Sequence, residues 1–63
     1  MIKYIIKLSD NAFVNIMNNT INVKQDFKKA TMYPTIGEAF RAAAYVNSLL
    51  NTAAEVKPYY INK

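Results

Sequence analysis

The side chains that could do chemistry in this chain are few and scattered. It contains four carboxylates, no histidine and no cysteine. Proton transfer and nucleophilic attack depend most often on His, or on a Cys or Ser activated by a neighbouring base. The carboxylates fall in turns, at a helix start and in a strand, without motif spacing: Asp10, Asp26, Glu38 and Glu55. These observations predict a protein that is not an enzyme and that binds no metal and no other cofactor.

The stretch YPTIGEAFRAAAYVN, residues 33–47, holds the only glycine and the only arginine of the sequence, Gly37 and Arg41. A glycine at a helix start could let an anion approach the unpaired backbone N–H groups. However, Thr35 and Glu38 form the capping-box pattern T-x-x-E, whose side chains bond to those same donors. The stretch therefore predicts a capped helix start, with Gly37 as a small residue needed for close packing.

Length and composition place the chain among small basic domains. Residues 1–63 make a single domain, which buries only about 60% of the surface exposed by its unfolded chain. Without Cys or His, the disulfides and zinc sites that stabilise many such domains are excluded. Association with a second copy or another partner is the remaining way to gain stability. Eight basic against four acidic residues give a formal net charge of +4. This charge suits weak attraction to nucleic acid, and it is equally typical of ordinary solubilising charge.

Hydropathy predicts a cytoplasmic protein that makes no membrane contact. Lys3 and Lys7 interrupt the first apolar segment, so no run approaches the roughly 18 residues of a membrane span. The N-terminal residues also lack the apolar region of a signal peptide. The absence of cysteine suits a reducing compartment.

Hydrophobic alternation predicts an antiparallel sheet. Residues 2–8 and 12–17 alternate as two strands joined by a short polar turn, which is typical of a hairpin. Residues 21–23 indicate a brief third strand, and the segment that follows them gives no clear signal. Residues 55–61 indicate a last strand, in which Pro58 favours an edge position because it has no N–H to donate.

A helical pattern begins after Thr35 and ends near Asn51. Its apolar residues recur at helical spacing and are expected to form the buried stripe: Ile36, Ala39, Phe40, Ala43, Val46 and Leu50. Arg41 and Tyr45 lie one turn apart on the opposite side. Such a pair is common at protein–protein contacts, and it is also a routine stacking pair on a solvated surface. The fold class is therefore α+β, an antiparallel sheet of three to four strands with one α-helix packed on one face.

The sheet face turned away from the helix is the strongest functional indication. One helix cannot cover both faces, and large apolar side chains on an open face form a patch that marks association. The alternative is that the middle segment or the C-terminal tail folds over this face. The expected partner-binding residues are Lys3, Ile5, Lys7, Phe13 and Met17, together with Arg41 and Tyr45 on the helix.

The same face offers a nucleic-acid alternative. Lys3, Lys7 and Phe13, with Tyr59 or Tyr60, would place basic and stacking groups on a sheet, as small single-strand binders do. The sequence has no RNP-like motif and a single arginine. Association with protein is therefore the preferred interpretation.

The order of elements also carries a resemblance. A short hairpin, the pattern K-A-x-x-[Y/F]-x-T-x-x-E-A, an amphipathic helix and a final strand resemble small accessory proteins encoded by phages and prophages of Gram-positive bacteria. The matching residues are Lys29, Ala30, Tyr33, Thr35, Glu38 and Ala39. Gly37 departs from the pattern, because such sequences often carry an acidic or polar residue there.

The resemblance implies a protein of the bacterial host cytoplasm that binds a host or defence protein, as anti-CRISPR inhibitors do. The basic charge argues against DNA mimicry, which needs an acidic surface. We therefore expect a non-enzymatic, phage-type homodimer that inhibits or modulates a host or defence protein, for example a CRISPR-Cas effector. The alternative is a small basic nucleic-acid-binding protein that uses the sheet face.

Overall fold

A computed structural model describes residues 1–61 of the chain. Its elements are β1 (Ile2–Ser9), β2 (Ala12–Met17), β3 (Thr20–Lys24), a 3₁₀ turn (Phe27–Lys29), α1 (Ile36–Leu50) and β4 (Glu55–Tyr60). The strands form one antiparallel sheet in the order β3-β2-β1-β4. This confirms the α+β fold class, with four strands and one helix packed on one face of the sheet.

Asparagines close two of the turns. Asn18 and Asn19 join β2 to β3 and have φ values of 52° and 62°. A two-residue type I′ hairpin turn needs positive φ at both central residues, and Asn tolerates it well. Asn51 has φ 55° and ψ 49° and ends α1 in the left-handed conformation. The predicted end of the helix is confirmed at this residue.

Side chains fix both ends of α1. At the start, the Thr35 hydroxyl oxygen accepts a hydrogen bond from the Glu38 N–H at 3.2 Å and donates one to Glu38 Oε2 at 3.0 Å. The capping residue is thus the predicted one, although the glutamate bonds to the hydroxyl of Thr35 and not to its backbone. At the other end, Asn47 Oδ1 accepts from the Thr52 hydroxyl at 2.9 Å and the Ala54 N–H at 2.7 Å. These bonds direct the chain into β4.

The central strands β1 and β2 pair over only part of their length. Their register runs from Ser9–Ala12 to Lys7–Phe13, with an irregularity between the two pairs. Beyond this point the strands part, and residues 31–33 lie between them. We call residues 25–33 the crossing segment, because they lead from one face of the sheet, through this gap, to the helix on the other face.

Hydrogen bonds fill the gap on both sides. Tyr33 exchanges two backbone bonds with Tyr4 of β1, of 2.8 and 2.9 Å. On the β2 side, the Thr31 N–H donates to the Val14 carbonyl at 3.1 Å. The Thr31 hydroxyl accepts from the Ile16 N–H at 2.8 Å and lies 3.4 Å from the Ile16 carbonyl. One side chain therefore takes the place of a missing strand neighbour.

The bonds of Tyr4 also explain the tolerance for Pro58. Pro58 lies directly opposite Tyr4 on β4, an edge strand as predicted. Both backbone groups of Tyr4 bond to Tyr33 on its other side. The proline therefore occupies a pair that exchanges no hydrogen bonds, where a missing N–H costs nothing.

The strand register defines the two faces of the sheet, since directly opposite residues share a face. We call the face under α1 the first face and the other the second face. The second face includes Lys3, Ile5, Lys7, Phe13, Asn15, Met17, Lys24, Lys57 and Tyr59. The core between the first face and α1 is the buried cluster Ile6, Val14, Ala43 and Val46.

The helix packs on the sheet mainly through small residues. The buried helix positions are Ala39, Ala43 and Val46. The predicted stripe is wrong at its three large flanking members: Ile36, Phe40 and Leu50 are 49%, 57% and 44% exposed. Contact through alanine brings the helix close to the sheet, and the larger side chains on its flanks then extend beyond the contact into solvent.

The first prediction concerns the hydroxyl in the gap. Thr31→Val keeps the shape of the side chain but leaves the Ile16 N–H without its acceptor. We expect the free energy of unfolding in urea to fall by about 1–3 kcal/mol, the cost of an unsatisfied buried donor. Thr20→Val, at an exposed position of β3, is the matched control. Equal effects of the two changes would contradict this role for Thr31.

The second prediction concerns alkaline pH. Burial raises the pKa of the Tyr33 phenol above its ordinary value. A raised folded-state pKa means that the unfolded chain loses this proton first, so stability is retained below the unfolded pKa of about 10 and lost above it. Urea midpoints at about pH 8 and about pH 11 should therefore differ more for the wild type than for Tyr33→Phe. Identical pH dependence would show that Tyr33 titrates alike in both states.

Candidate functional site

The second face is covered at its centre. The Phe27 ring makes edge contacts with two rings of the sheet: Phe13 at 6.3 Å and 63°, and Tyr59 at 5.2 Å and 77° between centroids and planes. Phe13 belongs to β2 and Tyr59 to β4, so Phe27 spans the strand between them. Ile5 lies on that strand and is only 5% exposed. We call these three rings the aromatic cluster.

The expected open face is therefore wrong at Ile5, and the alternative of cover by the middle segment is the arrangement found. The 3₁₀ turn is held in place by Asn15, whose side-chain N–H donates to the Lys29 carbonyl at 2.8 Å. Phe13 is half-buried under this cover. Met17, at the end of β2, stays outside it and is 61% exposed.

The lysines of residues 1–61 all gather on this side of the molecule. Four stand on the second face and two on the 3₁₀ turn that covers it: Lys3, Lys7, Lys24, Lys57, Lys28 and Lys29. Three carboxylates lie there as well. Asp10 pairs with Lys7 at 3.3 Å, Glu55 with Lys57 at 3.8 Å, and Asp26 accepts from the Lys28 N–H at the start of the 3₁₀ turn.

The alternation of β1 correctly predicted that Lys3 and Lys7 lie on the second face. It did not predict the other four lysines on this side or the cover by Phe27. Phe27 was visible only as one aromatic residue in a polar stretch. The positions of Lys24 and Lys57 depend on register across strands, which alternation within one strand does not give. The one sequence feature that indicated this cover is the polar tract around Phe27, because a polar segment with a single large apolar residue can pack that residue on a sheet.

A second surface lies on the outward side of α1. Arg41 and Tyr45 are exposed there, as predicted, and Tyr45 is 44% exposed. Phe40 and Leu49 flank them at 57% and 59%. We call these four residues the helix surface; Phe40 and Leu49 lie on its two flanks, and Arg41 and Tyr45 lie between them. Glu38 and Arg41 are the charged residues of α1 and lie one turn apart, so this side of the helix carries one carboxylate and one guanidinium group among its apolar side chains.

Gly37 is not explained by packing within the chain. A methyl group placed on its Cα would meet no atom within 4 Å, and its φ is not positive. The expected close packing at this position is therefore wrong. Gly37 makes no close approach to the sheet, and the space where its side chain would stand is open.

The described residues hold neither an enclosed pocket nor a group of three acidic, His or Cys residues able to hold a metal ion. Within the same part of the chain, no helix has the length and apolar character needed to cross a membrane. No protein-family model, curated protein or solved structure matches the chain. A functional proposal for this protein therefore rests on its two exposed surfaces.

Proposed function

We propose that this chain is a non-enzymatic binding protein that inhibits or modulates a bacterial host or defence protein by occupying its surface with α1. Its resemblance to small phage accessory proteins supports this mode of action. The observation that carries the proposal is the helix surface, on which Phe40 and Leu49 are exposed on either side of Arg41 and Tyr45.

The size of the helix surface supports a protein partner. Its three large apolar residues, Phe40, Tyr45 and Leu49, are each about half exposed, and together they present on the order of 300 Å². This area is spread over the outward side and both flanks of the helix, and a stable interface buries about 800 Å² on each partner. Aromatic residues and Arg are also the types that contribute most to interface binding energy.

The charges favour a different protein over a second copy as the partner. Arg41 has no ion pair within residues 1–61. A symmetric helix pair centred on Arg41 would bring two guanidinium groups together at its centre, where like charges repel. A partner that presents an acidic group within an apolar surface fits better.

The third prediction tests this surface. Phe40→Gln and Leu49→Gln remove apolar contact area, keep the charge, and retain good helix propensity. The tagged chain should recover a specific protein from nuclease-treated host lysate, and each variant should weaken its measured affinity for that purified protein at least tenfold. Tyr60→Gln, at a position on β4 that is 64% exposed, is the matched control and should bind as the wild type does.

Two results would contradict the proposal. A partner retained by both helix variants would show that α1 is not the contact. Sedimentation equilibrium tests the predicted homodimer: a dimer that Phe40→Gln converts to monomer would assign the helix surface to a second copy. Circular dichroism of the variants, which change exposed positions, should match that of the wild type.

A further inference from the structure

We propose that the second face binds single-stranded nucleic acid, with its lysines at the phosphates and the aromatic cluster beside the bases. This surface lies on the opposite side of the sheet from the helix surface. The inference is therefore independent of the proposed protein partner. It assigns a ligand to the residues that the crossing segment brings together.

Charge is sorted between the two sides of the sheet. The side of the second face holds six lysines against three carboxylates, whereas α1 carries one arginine and one glutamate. Two of the carboxylates are already paired with lysines. Four lysines make no ion pair within the described residues: Lys3, Lys24, Lys28 and Lys29. An anionic chain is attracted to this side and not to the helix side.

Aromatic rings stand among these lysines. Phe13 lies directly opposite Lys7 on one neighbouring strand and Lys24 on the other. Tyr59 lies opposite Lys3. Directly opposite side chains on a sheet start about 5 Å apart, so each of these rings has a lysine side chain rising from the sheet beside it. Phe27, in contact with both rings, is 39% exposed.

This combination favours a single strand over a duplex. The bases of a duplex are stacked on each other and present only their edges in the grooves, whereas an unpaired base can stack on a protein ring. Lys3 and Lys7 are four residues apart on β1, which is about 13 Å along a strand. The face is thus long enough for a few nucleotides, near the lower limit of about four seen for small single-strand binders.

The first test measures how much each basic side chain contributes to the salt dependence of binding. Fluorescence anisotropy of a labelled 12-nucleotide oligothymidine is followed with the full chain at increasing salt. The double variant Lys28→Gln/Lys29→Gln should reduce the slope of log affinity against log salt by about 1.4, since each phosphate contact with a single strand contributes about 0.7. Lys24→Gln should reduce it by about 0.7. Arg41→Gln removes the same charge from the helix side and should leave the slope unchanged.

The second test measures stacking. Phe27→Leu keeps an apolar cover over Ile5 but removes the ring, and it should weaken oligothymidine binding at least about fivefold. Phe40→Leu makes the same change on the helix side and should have no effect. A duplex of the same length and vesicles containing phosphatidylglycerol should both bind more weakly than the single strand.

Several results would overturn the inference. These are an absence of oligothymidine binding at low salt, an effect of Arg41→Gln as large as that of Lys24→Gln, or unchanged affinity in Phe27→Leu. Equal or tighter binding of the duplex would reject the single strand as ligand. Equal or tighter binding of the vesicles would assign the face to anionic lipid. None of these results bears on the helix variants, so the two proposals fail separately.

Discussion

The structure depends on the gap between β1 and β2. Once the strands part beyond Lys7 and Phe13, backbone groups of Tyr4 and Ile16 have no strand neighbour on that side. An unpaired backbone group away from water costs on the order of 1–3 kcal/mol. Thr31 and Tyr33 bond to these groups from within the gap. The chain can therefore pass through the sheet without leaving its backbone unsatisfied.

This passage gives the sheet two unlike sides. Before it, the chain lies on the second face, where Phe27 covers Ile5 and adds its lysine neighbours to those of the strands. After it, the chain forms α1 on the first face, where alanine contacts keep the helix close and leave Phe40 and Leu49 in solvent. The core is small, since the buried side chains larger than alanine are Ile5, Ile6, Val14 and Val46. Much of the apolar surface of so short a chain therefore remains exposed on α1. The six lysines of residues 1–61 lie on the opposite side of the sheet.

The sequence predicted correctly those features of the fold that depend on residues close together in the chain. Thr35 as the helix cap, Asn51 as its end, the edge position of Pro58 and the strand alternation are all confirmed, because each depends on a few neighbouring residues. The cover over Ile5 was left only as an alternative, since it depends on Phe27 meeting two strands distant in sequence. The exposure of Phe40 was missed because helical spacing identifies an apolar side but not how much of it the sheet reaches. For Lys3, Lys7, Arg41 and Tyr45, the sequence pattern predicted the face of the strand or helix on which each side chain lies. It did not predict which residues of other elements lie next to them.

Amide hydrogen exchange measured by NMR tests the central claim, that residues 31–33 lie bonded between β1 and β2. The amides of Tyr4, Ile16, Thr31 and Tyr33 should be protected to the same degree as those of the β1–β4 ladder, because each donates a hydrogen bond within the sheet. Exchange of these four amides as fast as that of the exposed turn residue Asn11 would contradict the account. In that case the gap would be open, and the two sides of the sheet would not be separated by the crossing segment.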